Sequence, residues 1–285
     1  MAANNSAIMA GTNIRDKHMA TNDSAIMVGT NISKTFHPPG REPVIALKNL
    51  DFYIKSEEFV SLVGPSGCGK STLLNICGSI IPPSTGNLKY KNTEVREPRR
   101  EIGMMFQQPV LFPWRTVYQN LMLPIEIRHE NKSNYHQRAL SLLEVLGLKD
   151  FMKSYPWELS GGMQQRAALG RLLLQDPDML LLDEPFGSLD EFTREALNLE
   201  LLHLWQDSGK AVLFVTHSIP EAVFMADRVF IFTCRPGRMA KIIEINLPRP
   251  RHIEMMHEQN FQDLVFEVRN VLRQASEQED CPSEY

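Results

Sequence analysis

Apolar residues recur along the chain with two different periods, and the switches between them mark its elements. From Leu47 to Lys55 apolar and polar positions alternate, as in a strand with one buried face. Residues 58–63 form a short apolar run instead, and helical spacing follows over 73–81. The stretch 117–175 is predicted to be mostly helical, with Ala139, Leu142, Leu143 and Leu146 on one face at i, i+3, i+4 and i+7. Apolar runs at 179–182 and 211–215 read as buried strands on either side of a helical 191–205. Strand-like runs at 228–233 and 239–245 flank the turn Arg235-Pro236-Gly237. After Pro248 an amphipathic segment carries Phe261, Leu264, Val265, Val268 and Leu272 on one stripe and ends in an acidic tail. Strands alternating with helices imply a parallel sheet covered on both faces, here with a helical insertion.

Composition narrows the class. The 285 residues are 43% hydrophobic and 22% charged, close to an average folded chain, which argues against disordered, collagen-like and disulfide-dense classes. A net charge of -4 disfavours a nucleic-acid partner. No run approaches the roughly 18 consecutive apolar residues of a membrane span. No charged-then-apolar leader opens the chain, so the cytosol is the expected compartment. Cys68, Cys77, Cys234 and Cys281 form no C-x-x-C pair, which argues against a zinc site or a disulfide framework and fits a reducing compartment. Residues 1–14 recur with three changes at 19–32. The first copy reads as a dispensable duplication, or Met19 as a usable start; the competing reading is a functional arm.

Three strings carry chemistry. Gly64, Pro65, Ser66, Gly67, Cys68, Gly69, Lys70 and Ser71 match G-x-x-x-x-G-K-[ST], with a strand before and a helix after. Glycines let backbone N–H groups close around anionic phosphates at a helix N-terminus. Lys70 would reach the β- and γ-phosphates, and the Ser71 hydroxyl would ligate Mg2+. The apolar strand ending at Asp183 and Glu184 offers one carboxylate for the magnesium shell and one general base for water. Ser160, Gly161 and Gly162 precede a helix at 163–174 and make a second anion-binding terminus, which one nucleotide rarely needs.

Taken in order, these strings resemble the ATP-binding cassette ATPases over about 32–251. GPSGCGKST, running to Thr72, looks like the Walker A motif, LSGGMQQR the signature motif and MLLLDE the Walker B motif. Gln107 matches the glutamine lid loop, Ser188-Leu189-Asp190 the D-loop, His217 the switch histidine and Phe36 the aromatic that stacks on adenine. The resemblance implies an α/β fold: a P-loop NTPase core with a mostly parallel sheet, an N-terminal antiparallel β subdomain and a helical insertion. It further implies a head-to-tail dimer holding two ATP with Mg2+. Each nucleotide would lie between one copy's Lys70 and the other's Ser160 and Gly162. Glu184, His217, Lys70 and Gln107 are the implied catalytic groups; Ser71, Gln107 and Asp183 are the implied magnesium ligands. The implied division is an extension over 1–24, an ATPase domain over 25–250 with its helical subdomain at about 113–170, and a helix with an acidic tail over 251–285.

Finer runs (PVLFPWRTVYQN, EAVFMADRV, RPGR and LPRPR) resemble the ATPases of importers for nitrate, sulfonates, taurine, bicarbonate or pyrimidine precursors. That implies separate membrane permease subunits, an extracytoplasmic solute-binding protein and a place on the cytoplasmic face of the membrane. The competing function is a soluble cassette ATPase of DNA repair or translation, against which the single cassette, a pI near 6.1 and the short helical insertion count. Trp114 is either an exposed contact for the membrane partner or packed inside the helical subdomain. Ser218 and Pro220 depart from the usual T-H-D-x-x-E-A switch loop and put its hydrogen bonding in question. Cys68 reads better as a small packed residue than as a reactive thiol.

Overall fold

The computed structural model describes residues 24–206 and 208–277. Along the chain run β1 (Ala25–Phe36), β2 (Val44–Lys55), β3 (Phe59–Val63), α1 (Lys70–Cys77), β4 (Thr85–Tyr90), β5 (Thr93–Glu94) and β6 (Ile102–Met105). There follow α2 (Val117–Ile127), α3 (Ser133–Val145), α4 (Gly161–Leu174), β7 (Met179–Asp183), α5 (Glu191–Gln206) and β8 (Ala211–Val215). The last elements are α6 (Ile219–Met225), β9 (Arg228–Phe232), β10 (Met239–Glu244) and α7 (Gln259–Glu277).

Short strands buried along their whole length, such as β3, β8 and β9, need cover on both faces. They lie inside a six-stranded sheet of order β10-β9-β3-β8-β7-β6, parallel except for β10. The longer β1 and β2 pair antiparallel in a second sheet of order β2-β1-β4-β5. The expected α/β architecture is therefore present, with its antiparallel N-terminal sheet and helical insertion.

Strand periodicity divides the core in two. Leu180, Leu182, Val212 and Phe214 pack with Leu121, Leu169, Leu172 and Leu201 from the helical side. Their neighbours Met179, Leu181, Leu213 and Val215 pack with Leu73 and Leu74 of α1 and with Phe52 and Ile54 of β2. In the insertion, Thr116 caps α2 in a reciprocal box with Gln119, and the predicted face of α3 buries Ala139, Leu143 and Leu146. The stripe on α7 buries Phe261, Val265 and Val268.

The helix after the phosphate loop spans Lys70–Cys77 rather than 73–81. Gly69 in a left-handed conformation starts it, and the chain leaves the helix at Gly78 and Ser79, the latter at φ 55°, although apolar residues continue. Likewise α4 begins at Gly161, directly after the Ser160 cap. The second copy of the near-repeat runs into β1; the first copy and the last eight residues lie outside the described residues. Cys68 and Cys77 are free and buried, whereas Cys234 is disulfide-bonded, a correction to the reading that no disulfide would form.

One buried ion pair joins the two sheets. Arg228 of β9 donates to Glu58 (2.7 Å to Oε2) and to the Tyr53 carbonyl of β2 (2.9 Å), and its guanidinium lies 4.4 Å from the Tyr53 ring centroid. Glu58 Oε2 also accepts the Lys55 N–H at 2.8 Å. Both charges are over 90% shielded from solvent, so removing one strands the other. Arg228→Met is expected to lower the urea-unfolding free energy by about 3–5 kcal/mol. A loss below about 1 kcal/mol, the scale of a surface pair, would show that the joint carries little.

Candidate active site

Adjacent parallel strands bring the chemistry together at their carboxyl ends. β3 leads into Gly64, β6 into Gln107, β7 into Asp183 and Glu184, and β8 into His217. The loop 64–71 turns tightly. Gly69 has φ 108°, and a Cβ there would lie 2.6 Å from Leu47 Cδ2 and 2.9 Å from the Ala46 carbonyl oxygen. No L side chain fits, so glycine is required where the loop rests on β2. Cys68 N–H donates to the Pro65 carbonyl at 3.3 Å.

Lys70 is buried and folds back on its own loop, donating to the Gly64 carbonyl at 2.7 Å and the Pro65 carbonyl at 3.0 Å. Ser71 Oγ donates to Asp183 Oδ1 at 3.2 Å. Thr72 follows in the first turn of α1. Burial is the largest influence on Asp183 and raises its pKa, with the Glu184 charge adding to the rise and the Ser71 bond opposing it. Glu184 sits at φ 44° with its N–H on the Val215 carbonyl (3.0 Å). Its Oε2 lies 3.4 Å from both Gln107 Nε2 and His217 Nδ1. Gln107 and His217 thus converge on the Glu184 carboxylate beside the Ser71–Asp183 pair.

Ser160, Gly161, Gly162 and Asp190 form a second group. The Ser160 hydroxyl caps α4 by accepting the Met163 N–H at 3.3 Å. Asp190 caps α5 through the Thr193 N–H at 3.0 Å, and these backbone bonds lower its pKa. The two helix starts touch: a Cβ on Gly162 would stand 3.1 Å from Thr193 Cγ2. No hydrogen bond or ion pair among the described residues joins this group to Lys70 and Ser71. Phe36 ends β1 opposite Val44, upstream of the Leu47 that packs on Gly69. It is half exposed, with the Lys34 ammonium 5.4 Å from its ring.

Several contributors were not legible as motifs. Gln165 donates to the Gln107 carbonyl at 3.0 Å, and Arg171 donates to the Val110 and Pro109 carbonyls at 2.8 and 2.9 Å. Both residues face the glutamine loop from α4; a polar residue in an otherwise apolar helix face was the available signal. The unusual switch loop is satisfied: Ser218 caps α6 by accepting the Glu221 N–H at 3.4 Å, and Pro220 lies in the first turn. Glu221 is buried on Thr216 and on Asn198 Nδ2 (2.7 Å). Burial raises the Cys68 thiol pKa, outweighing the lowering by Lys70, which favours the packed role. Trp114 is 68% exposed and stacks on Phe112, so the packed alternative is set aside.

A phosphate loop on a parallel sheet, with a carboxylate held by two neighbouring strand ends, defines a P-loop nucleotide-binding cassette. The family model described as ABC transporter matches residues 47–187. The chain is 43% identical over 216 residues to the taurine import ATP-binding protein TauB of Ruegeria pomeroyi, covering 76% of this chain and 80% of that one. It is 41% identical over 208 residues to the aliphatic sulfonates import ATP-binding protein SsuB of Bacillus cereus, covering 73% and 82%. Among solved structures, a dimeric ATP-binding cassette in a post-hydrolysis state bound to ADP and Pi superposes with a TM-score of 0.69 at 34% identity, covering 78% of this chain and all of the other. The chain belongs to the ABC transporter family.

The raised Asp183 pKa has a testable sign. Its folded pKa lies above the unfolded value, so ionising it opposes folding, and the penalty is complete above the folded pKa. Asp183→Asn is expected to raise the melting temperature of the nucleotide-free chain at pH 7, with the gain shrinking as pH falls into the carboxylate range. A gain that is equal at both pH values, or a loss at pH 7, would contradict this.

Proposed function

We propose that the chain is the ATP-hydrolysing subunit of an importer for a small solute of the taurine, sulfonate or nitrate kind. The observation that carries this is the Glu184 carboxylate, held by Gln107 and His217 beside Ser71, Asp183 and the phosphate loop. Gly64 to Thr72 would hold the phosphates, with Lys70 leaving the loop carbonyls for the β- and γ-oxygens. Phe36 would stack on adenine. Ser71 and Asp183 offer hard oxygen ligands that fit Mg2+, with the Gln107 amide oxygen as a third. Bound there, Mg2+ would neutralise phosphate charge.

Glu184 accepts a proton from water as the water oxygen attacks the γ-phosphorus; the bond to the bridging oxygen breaks, giving ADP and phosphate. His217 and Gln107 orient the carboxylate and the water. The second group, Ser160, Gly161, Gly162 and Asp190, would serve the nucleotide of another copy in a dimer, as the dimeric cassette relative supports. The domain bounds follow the same reading: an extension over 1–24, the ATPase over 25–250 with helical subdomain near 113–170, and a helix with tail beyond.

No helix among the described residues is long and apolar enough to cross a membrane; the relatives named as import ATP-binding proteins support a reading in which permease subunits supply the passage. The exposed Trp114, stacked on Phe112, and Trp157, stacked on Tyr155, suit such a contact. The chain would then sit on the cytoplasmic face of the membrane, fed through a permease and an extracytoplasmic solute-binding protein.

Glu184→Gln tests the assignment of the base. Phosphate release is expected to fall by at least about 100-fold while ATP binding is retained. Unchanged release would remove Glu184 from the reaction.

A further inference from the structure

The turn Arg235-Pro236-Gly237 has no part in the hydrolytic scheme, yet it lies against the phosphate loop. Gly237 N–H donates to the Ala46 carbonyl (2.9 Å), and its own carbonyl accepts the Lys48 N–H (3.0 Å), which fastens the turn to β2. A Cβ on Gly237 would stand 2.1 Å from the Cys68 carbonyl oxygen, so backbone meets backbone there. From this anchored turn Arg235 reaches the loop, and its Nε and Nη2 donate to the Gly67 carbonyl at 3.2 and 3.1 Å.

A loop whose N–H groups serve an anion must find other partners for its carbonyls. Lys70 holds those of Gly64 and Pro65, and would give them up when phosphates arrive. Arg235 holds that of Gly67, which sits in the left-handed region at φ 72°. Arg235 is exposed, so packing does not force these bonds. Its charge is felt inside the loop, where it pulls the Cys68 thiol down against the larger push of burial.

We propose that Arg235 is a positioning residue for nucleotide binding: by gripping the Gly67 carbonyl it keeps the loop in its phosphate-binding shape, without entering the hydrolytic step. This rests on the reading that residues 64–72 hold the phosphates. Titration calorimetry with MgADP and steady-state ATP hydrolysis by the full chain test it. Arg235→Gln is expected to weaken MgADP binding and raise the KM for ATP about tenfold, the scale of a lost charge-assisted pair, with kcat within about twofold. Arg235→Lys keeps the charge and one donor and should recover part of the loss. MgADP binding by Arg235→Gln within about twofold of the parent, a fall in kcat at unchanged KM, or no recovery in Arg235→Lys would each overturn the role. Lys70→Met, measured in parallel, separates the two readings. Retained MgADP binding there would overturn the phosphate-loop assignment itself. Lost binding there, with normal binding in Arg235→Gln, would overturn only the part given to Arg235.

Discussion

Gly69 has no side chain because Leu47 and the Ala46 carbonyl occupy the space where one would stand, at a φ that side chains rarely adopt. This contact fixes the turn that follows β3, and much of the site takes its geometry from it. With the turn fixed, α1 starts at Lys70, which places the ammonium over the loop carbonyls and Ser71 within reach of Asp183. The antiparallel sheet thus shapes the loop as well as covering the core, since β2 supplies both Leu47 and the edge on which Gly237 is fastened. The Glu58–Arg228 pair holds that sheet to the parallel one. A phosphate loop closed between two sheets needs both of them in register.

The second constraint is strand order. Gln107, Glu184 and His217 are far apart in sequence and meet because β6, β7 and β8 are neighbours whose carboxyl ends share one edge. Helix α4 reinforces the arrangement, because Gln165 and Arg171 hold the backbone of the glutamine loop. The same helix begins at Ser160. A displacement of that terminus would therefore be felt at Gln107, the kind of linkage a machine with two nucleotides would use.

Much of this was legible in the chain. The fully apolar runs of β7 and β8 gave parallel strands, and the loop string with its flanking periods gave the glycine-rich turn between β3 and α1. What stayed hidden depended on contacts between distant segments. The 73–81 period runs past Gly78 into Ile80 and Ile81, so periodicity alone placed the helix too late and too long. Ser218 looked like a defect in the switch loop, yet a serine caps a helix as well as an aspartate does, and Pro220 is tolerated in a first turn. Trp114 could face either way until its stacking on Phe112 at the surface was seen. Arg235 carried no recognisable chemistry, because its partner is a backbone carbonyl more than 160 residues away.

In the proposed dimer one copy carries only part of each site. Lys70 and Ser71 lie in one group and Ser160 in another, with no bond between the two groups among the described residues. The direct measurement is sedimentation equilibrium of the chain with Mg2+ and a non-hydrolysable ATP analogue, counting the nucleotides bound per particle. The expected result is a shift from monomer to a dimer holding two nucleotides, abolished in Ser160→Arg. A monomer that binds one nucleotide with full affinity and never pairs would contradict it.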